Sequence, residues 1–200
     1  ENEAPLGSCT LLVELTGGAH ATYPSIPRPD EAGLFHLNGE PYVVVPLASS
    51  EALAEAEIAC AGEQLFAYIH ERLGQATNGL SWDAEMLRAW LPLERWVNEF
   101  LQTTAQPLDQ TNWLSRHTHL RRILIPNRQK VVAPGQVGRV CPFETPEGPN
   151  IGKAFTVAVG AEIRARRLVV VDPRPEASLG LSASMLPFLE HNDPNRLLMA

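Results

Sequence analysis

Apolar and polar positions alternate at the start of the chain and change period after residue 50. CTLLVEL, from Cys9 to Leu15, and LFHLNGEPYVVVPL, from Leu34 to Leu47, are rich in β-branched and aromatic residues. Asn38-Gly39 lies between the apolar runs of the second stretch and predicts a type I′ hairpin. After Ser50, a good N-cap, Ile58, Leu65, Phe66, Ile69 and Leu73 fall on one helical stripe that stops at Gly74. The spacing therefore predicts a helix across this segment. Ser81 is placed to cap a short helix, WDAEMLRAWL. Pro92 suits the first position of PLERWVNEFL, where Leu93, Trp96, Val97, Phe100 and Leu101 repeat at i, i+3, i+4, i+7 and i+8. Beyond residue 105 short apolar runs, RILI, KAFTVAVGAEI and RRLVVVDP, are separated by polar and basic stretches, as in strands joined by irregular loops. This order predicts an α+β fold: a β-rich N-terminal part (1–50), a helical middle segment (51–104), and mixed short strands and loops in the C-terminal half (105–200), packed as one compact unit.

Composition changes this picture little, and charge changes it more. An apolar share of 44% over 200 residues is enough for a globular core. No run of eighteen apolar residues and no signal-peptide pattern occurs, so a cytoplasmic protein without a membrane partner is expected. Cys9, Cys60 and Cys141 are odd in number, with no C-x-x-C pair, which suits reduced thiols better than disulfides or a zinc site. Glu rather than Met comes first, and NRLLMA ends in what would be the opening turns of a helix, as expected of a chain cut from something longer. The net charge of −7 hides a split. Residues 1–100 hold 4 Lys and Arg against 15 Asp and Glu, a balance of −11, and residues 101–200 hold 12 against 8, a balance of +4. Phosphates would go to the second half.

Three stretches carry candidate chemistry. QPLDQTNWLSRHTHLRR, Gln106 to Arg122, gathers amides, an Asp, two His and three Arg. Amide and guanidinium donors can converge on sugar and phosphate oxygens, where acceptor charge strengthens each hydrogen bond. His117, His119 and Asp109 could also hold zinc if His-x-His lay on a strand, but Arg116, Arg121 and Arg122 would repel a dication. CPFETPEGPNIG, Cys141 to Gly152, packs three prolines, two glycines and two carboxylates into twelve residues. Glu144 and Glu147 could divide acid and base work; alternatively they bind backbone amides or pair with arginines. In MLPFLEHNDPNRLLMA, Glu190, His191 and Asp193 could be metal ligands, but Asp193 before Pro194 is first a helix start.

In this order, the three stretches resemble the β subunit of bacterial multisubunit RNA polymerase. DQTNWLSRHTHLRR is similar to that family's D-Q-N-N-P-L-S-E-x-T-H-K-R-R, CPFETPEGPNIG to its C-P-I-E-T-P-E-G-P-N-I-G, and LPFLEHNDPNRLLMA to its I-P-F-L-E-H-D-D-A-N-R-A-L-M-G. Weaker similarity extends upstream through SIPRPDEAGLFHLNGEPYVVVPL and PLERWVNEFL. The resemblance implies a wall of the transcription active centre, beside nascent RNA, template DNA and incoming nucleotide. By motif, Gln106, Asp109, Asn112, His119, Arg121 and Arg122 would lie near the RNA, in what is also the rifamycin pocket. Glu147 and Asn150 would lie near the RNA 3′ end, and Arg196, placed by Asp193 and Asn195, near the nucleotide triphosphate, where a preorganised cation aids phosphoryl transfer.

The resemblance further implies β′-type and α-type subunits as partners, with DNA and RNA in the assembly. Magnesium would come from the β′-type subunit, whose N-A-D-F-D-G-D signature is missing here, so the chain alone is not expected to polymerise RNA. The alternative is a stand-alone non-catalytic module derived from the β subunit, binding polymerase subunits or nucleic acid. Several features depart from the family. The Arg122 to Gly138 connection lacks the Gly-rich loop found near the point of strand separation. Trp113 replaces Pro, Leu120 replaces Lys, and Leu124 stands where a small hydroxyl residue is usual.

Overall fold

A computed structural model of the chain describes residues 7–73, 83–127, 133–146 and 148–192. The fold is α+β, with strands first, helices in the middle and short mixed strands in the C-terminal half. The chain forms two compact units, residues 1–44 with 62–107 and residues 45–61 with 108–200.

In the first unit β1 (Ser8–Glu14) and β2 (His20–Pro27) pair antiparallel. Pro24 and Pro27 obscure β2 in the sequence, because proline cannot donate to a ladder. The register explains how Pro24 is accommodated. Cys9 opposes Ile26 and Leu11 opposes Tyr23, so Pro24 and Ser25 together face Thr10 across a β-bulge. The bulge also shifts the buried face from Ala21 and Tyr23 to Ile26. β3 (Phe35–Leu37) and β4 (Glu40–Val43) form the expected hairpin across Asn38 and Gly39, both at positive φ (53° and 86°), and β7 (Gln106–Pro107) adds to the far side of β4.

Helix α1 covers only Ala61–Leu73 and buries none of its residues. This corrects the helix expected from residue 51: Ile58, placed on its stripe, lies instead in a strand of the second unit, and Phe66 is 70% exposed. The segment before Ala61 is short of strong helix-stopping residues, so its path is set by tertiary packing of Leu53, Ala56 and Ile58. The expected stop at Gly74 and cap at Ser81 lie outside the described residues. Helix α2 (Ala84–Trp90) is capped by Asp83, whose carboxylate accepts the Met86 amide at 2.8 Å. Helix α3 (Leu93–Thr104) buries Leu93, Trp96, Val97, Phe100 and Leu101, the full expected stripe, with Pro92 at the N-cap rather than the first turn. Both helices pack on β2, and the buried Tyr23 hydroxyl donates to the Leu91 carbonyl at 2.7 Å.

The second unit is built on a four-stranded sheet ordered β6 (Ile58–Ala59), β5 (Leu47–Ala48), β8 (Arg122–Leu124), β9 (Ala154–Thr156). β5 and β8 are parallel and the other pairs antiparallel. Its core joins Leu53 and Ile58 to Ile123, Ile125, Val140, Phe155 and Val157. A hairpin of β10 (Ala161–Arg164) and β11 (Arg167–Val170) adds Ala161 and Leu168 to that core. The hairpin turn is pinned to the 55–58 segment by Ile58 N–H to the Arg166 carbonyl (2.8 Å), Arg166 to Glu57 (2.6 Å) and Arg167 to the Glu55 carbonyl (3.1 Å). Helices α4 (Trp113–Leu120) and α5 (Leu181–Ser184) pack together, with Thr118 Oγ1 and Ser182 Oγ 3.2 Å apart. None of the described helices is long and apolar enough to cross a membrane.

Candidate nucleic-acid interface

A cleft of about 530 Å³ in the second unit brings together Asp109, Asn112, Arg122, Glu144 and Thr145 with Ser182 and Met185. The local sequence explains how α4 presents its residues. Asn112 Oδ1 accepts the Ser115 amide at 2.8 Å and starts the helix. One turn of polar side chains, Ser115 and Thr118, then faces the cleft. Asp109 Oδ1 accepts the Thr111 amide at 3.0 Å, an Asx-turn that fixes the approach to the helix. The Thr111 amide and hydroxyl, aided by the positive charge of Arg122, hold the Asp109 carboxyl below its usual range, so it is anionic at neutral pH.

His119 is buried and accepts the Asp109 amide on Nδ1 at 3.0 Å. An accepting Nδ1 is unprotonated, and burial together with the positive Arg122 pushes the imidazole pKa down; Asp109 opposes this in part. The ring is therefore neutral and its Nδ1 is committed to the chain that leads into α4. His117 and His119 lie on a helix, not on the strand that a shared zinc site required, and no three of His, Cys, Asp and Glu gather as a metal site among the described residues.

The two adjacent arginines do different things. Arg121 donates to three carbonyls, Val157 from Nε (3.2 Å), Ala161 from Nη2 (3.1 Å) and Ala158 from Nη2, tying the end of α4 to the turn before β10. Burial lowers its pKa, and the nearby Glu162 and Glu144 charges oppose the shift. Arg122 is half-buried and lines the cleft, and its guanidinium makes no hydrogen bond or ion pair with any described residue. Burial lowers its pKa too, with Asp109 opposing. Among the described residues only the charge of Asp109 acts on this cation, which leaves its donors open to an anion entering the cleft.

The proline-rich loop forms the opposite wall. Its ends are clasped by Thr145, whose hydroxyl donates to the Ala154 carbonyl at 2.9 Å and accepts the Gly152 amide at 3.0 Å. The Cys141 amide donates to the Thr156 carbonyl at 2.8 Å. The buried Cys141 thiol is pushed up in pKa by desolvation, against amides of Gly180, Phe143 and Glu144 that point at its sulfur. Glu144 bonds a backbone amide, one of the two alternatives to acid–base work: Oε1 accepts Ala183 N–H at 2.7 Å. Its Oε2 is enclosed and has no partner among the described residues. A side chain on Gly180 would collide with this carboxylate, so only glycine permits the approach.

Of the residues expected at a site, the cleft brings together Asp109, Asn112 and Arg122, with His119 directly behind Asp109. Gln106 belongs to the first unit, where it pairs with Val43 in the β7–β4 ladder. Asn150 is exposed in a 3₁₀ turn, Gly148–Asn150, and its carbonyl accepts the Lys153 amide at 3.0 Å. Glu147, Asp193, Asn195 and Arg196 lie outside the described residues. Thr145, Thr118, Ser182 and Gly180 were not expected. Thr145 could have been suspected as the one hydroxyl between prolines in a loop that must close, whereas nothing local marks Gly180.

Residues 106–163, running from β7 through α4 and the proline-rich loop to β10, match the family model for RNA polymerase Rpb2, domain 3. This stretch, 58 of the 200 residues, is similar to domain 3 of the Rpb2-type, or β-type, second-largest subunit of DNA-directed RNA polymerase.

Proposed function

We propose that the second unit forms part of the wall of a transcription active centre and positions nascent RNA, template DNA and incoming nucleotide. The observation that carries this is the Arg122 guanidinium. It is half-buried in a cleft, unpaired with any described residue, and set between a capped helix and a clasped proline loop. A cation held in this way can meet a phosphate without reorganising, which is how a wall residue assists a reaction it does not itself perform. Asp109 and Asn112 supply acceptor and donor groups beside it for sugar and base. The assembly would include β′-type and α-type subunits, and the magnesium that activates the RNA 3′ end would come from the β′-type chain. Asn150, Glu147, Asp193, Asn195 and Arg196 extend the same role to the RNA end and the triphosphate.

The test is co-expression with β′-type and α-type subunits, followed by photocrosslinking from a 4-thiouridine at the RNA 3′ end. Crosslinks within 106–122 or 144–150 are expected. In the same assembly Arg196→Ala should raise the apparent KM for nucleotide more than it weakens template binding. Co-purification without crosslinks in these segments would sink the active-centre role and favour a non-catalytic module that binds polymerase subunits.

A further inference from the structure

Helix α4 has a second face, turned away from the cleft. Leu114, Ser115 and Thr118 line the cleft and His119 is buried, whereas Trp113, Arg116 and His117 fall on the opposite stripe at i, i+3 and i+4. Trp113 is 61% exposed, and its ring lies 4.2 Å from that of His117 with the planes 41° apart. Arg116 is exposed and has no ion pair or hydrogen bond from its guanidinium to any described residue.

We propose that this stripe binds single-stranded nucleic acid outside the cleft, with a base stacked on the open face of Trp113 and a neighbouring phosphate on Arg116. Bases stack on aromatic rings whatever their sequence, and an adjacent guanidinium supplies the charge that a strand backbone requires. The His117 ring holds Trp113 in place, so little side-chain freedom remains to be lost on stacking. Helix α1 provides an internal comparison. It carries the same aromatic–histidine pair at i, i+4, Phe66 with His70 at 5.8 Å, and Phe66 is 70% exposed. There the charged residue at i−3 from Phe66 is Glu63, the Arg72 guanidinium lies over the Tyr68 ring, and that half of the chain has a balance of −11, so a strand would be repelled. Charge, not aromatic exposure alone, selects α4. The proposal goes beyond the active-centre role and can fail while that role stands, because Arg122 and the cleft take no part in it.

The experiment is fluorescence anisotropy of labelled single-stranded 12-mers, one RNA and one DNA, titrated with the whole chain at low and moderate salt. Binding in the range of about 10–100 µM at low salt is expected, as for weak non-specific contact. Trp113→Ala should weaken it about tenfold and Trp113→Phe by less than about threefold. Arg116→Ala should lower the slope of log affinity against log salt by about 1. Phe66→Ala should change nothing. A difference between the RNA and DNA arms would say which strand the stripe prefers. Equal weakening by Phe66→Ala and Trp113→Ala, or no effect of Trp113→Ala, would overturn the proposal. So would a failure to bind either strand, which would leave the stripe to a protein partner.

Discussion

The contact between Glu144 and Gly180 makes a quantitative prediction for a pair of substitutions. Gly180 has φ −74° and ψ 171°, a conformation any residue adopts, so Gly180→Ala brings no backbone strain. What alanine meets is the Glu144 carboxylate. That carboxylate is the far end of a flexible side chain and can move, but moving breaks its 2.7 Å hydrogen bond from the Ala183 amide. A hydrogen bond to a charged acceptor contributes about 1.5–3 kcal/mol, so Gly180→Ala should destabilise the second unit by about that amount.

In a Glu144→Ala background the obstacle is gone. There Gly180→Ala should be neutral, or stabilising by about 0.4–1 kcal/mol through the reduced entropy of the unfolded chain. The coupling energy of the cycle is then about 1.5–4 kcal/mol. Urea-dependent hydrogen exchange, read on peptides covering 154–171, reports this unit without interference from the other. An equal cost for Gly180→Ala in both backgrounds would refute the carboxylate as the reason glycine stands at this position.

Other substitutions test the remaining supports. Arg121→Met should destabilise the same unit by about 2–4 kcal/mol, because three carbonyls lose a charged donor, and Arg121→Lys should recover only part of this; the same exchange measurement decides. His119 titrates lower in the folded chain than its ordinary 6.5, so the unfolded chain binds the extra proton first. Its contribution should be complete above about pH 6.5 and decline as pH falls below it. The urea midpoint should therefore drop between pH 7 and 5.5 in the native chain and much less in His119→Gln; equal slopes would count against a buried neutral imidazole. In the first unit, Tyr23→Phe removes the hydroxyl that donates to the Leu91 carbonyl and should cost about 1–2 kcal/mol, read from exchange on peptides covering β2 and α2.

Regular patterning made some elements legible and left others hidden. The stripe of α3 and the Asn38-Gly39 hairpin are local signals, and both stand in the structure as the spacing predicts. β2 was hidden because its Pro24 breaks the alternation, and only its pairing with β1 reveals the bulge that accommodates it. The helix expected from residue 51 failed for the converse reason. Ala- and Glu-rich sequence favours a helix, but Leu53, Ala56 and Ile58 gain more by entering the core beside Ile123 and Phe155, which are distant in sequence. At the site, Asp109, Asn112 and Arg122 were legible as a donor- and acceptor-rich run. That Arg121 would turn to backbone carbonyls while Arg122 kept the cleft was not, since adjacent residues on one chain differ only in the direction the fold gives them.

The proline-rich loop shows what such a division accomplishes. Its two carboxylates suggested chemistry, yet Glu144 spends its charge on a backbone amide and sits where it holds the short α5 against the loop. Thr145 fastens the loop to β9 through Ala154 and to its own end through Gly152, and Cys141 fastens its start to Thr156. Three attachments across twelve residues, with prolines limiting the backbone between them, leave the wall opposite Arg122 little freedom to move. If Arg122 meets a phosphate, the gain comes from both sides being fixed before the ligand arrives. A loop that loosens should therefore weaken binding even with every charge intact. Thr145→Val keeps the side-chain volume and removes both hydroxyl bonds. If the unit has the proposed active-centre role, this variant in an assembly with β′-type and α-type subunits should raise the apparent KM for nucleotide about tenfold, by the order of two lost hydrogen bonds that no longer hold the wall. A variant that loses local exchange protection at 145–154 yet keeps its KM would show that the cleft tolerates a moving wall, and preorganisation would then not be what the loop provides.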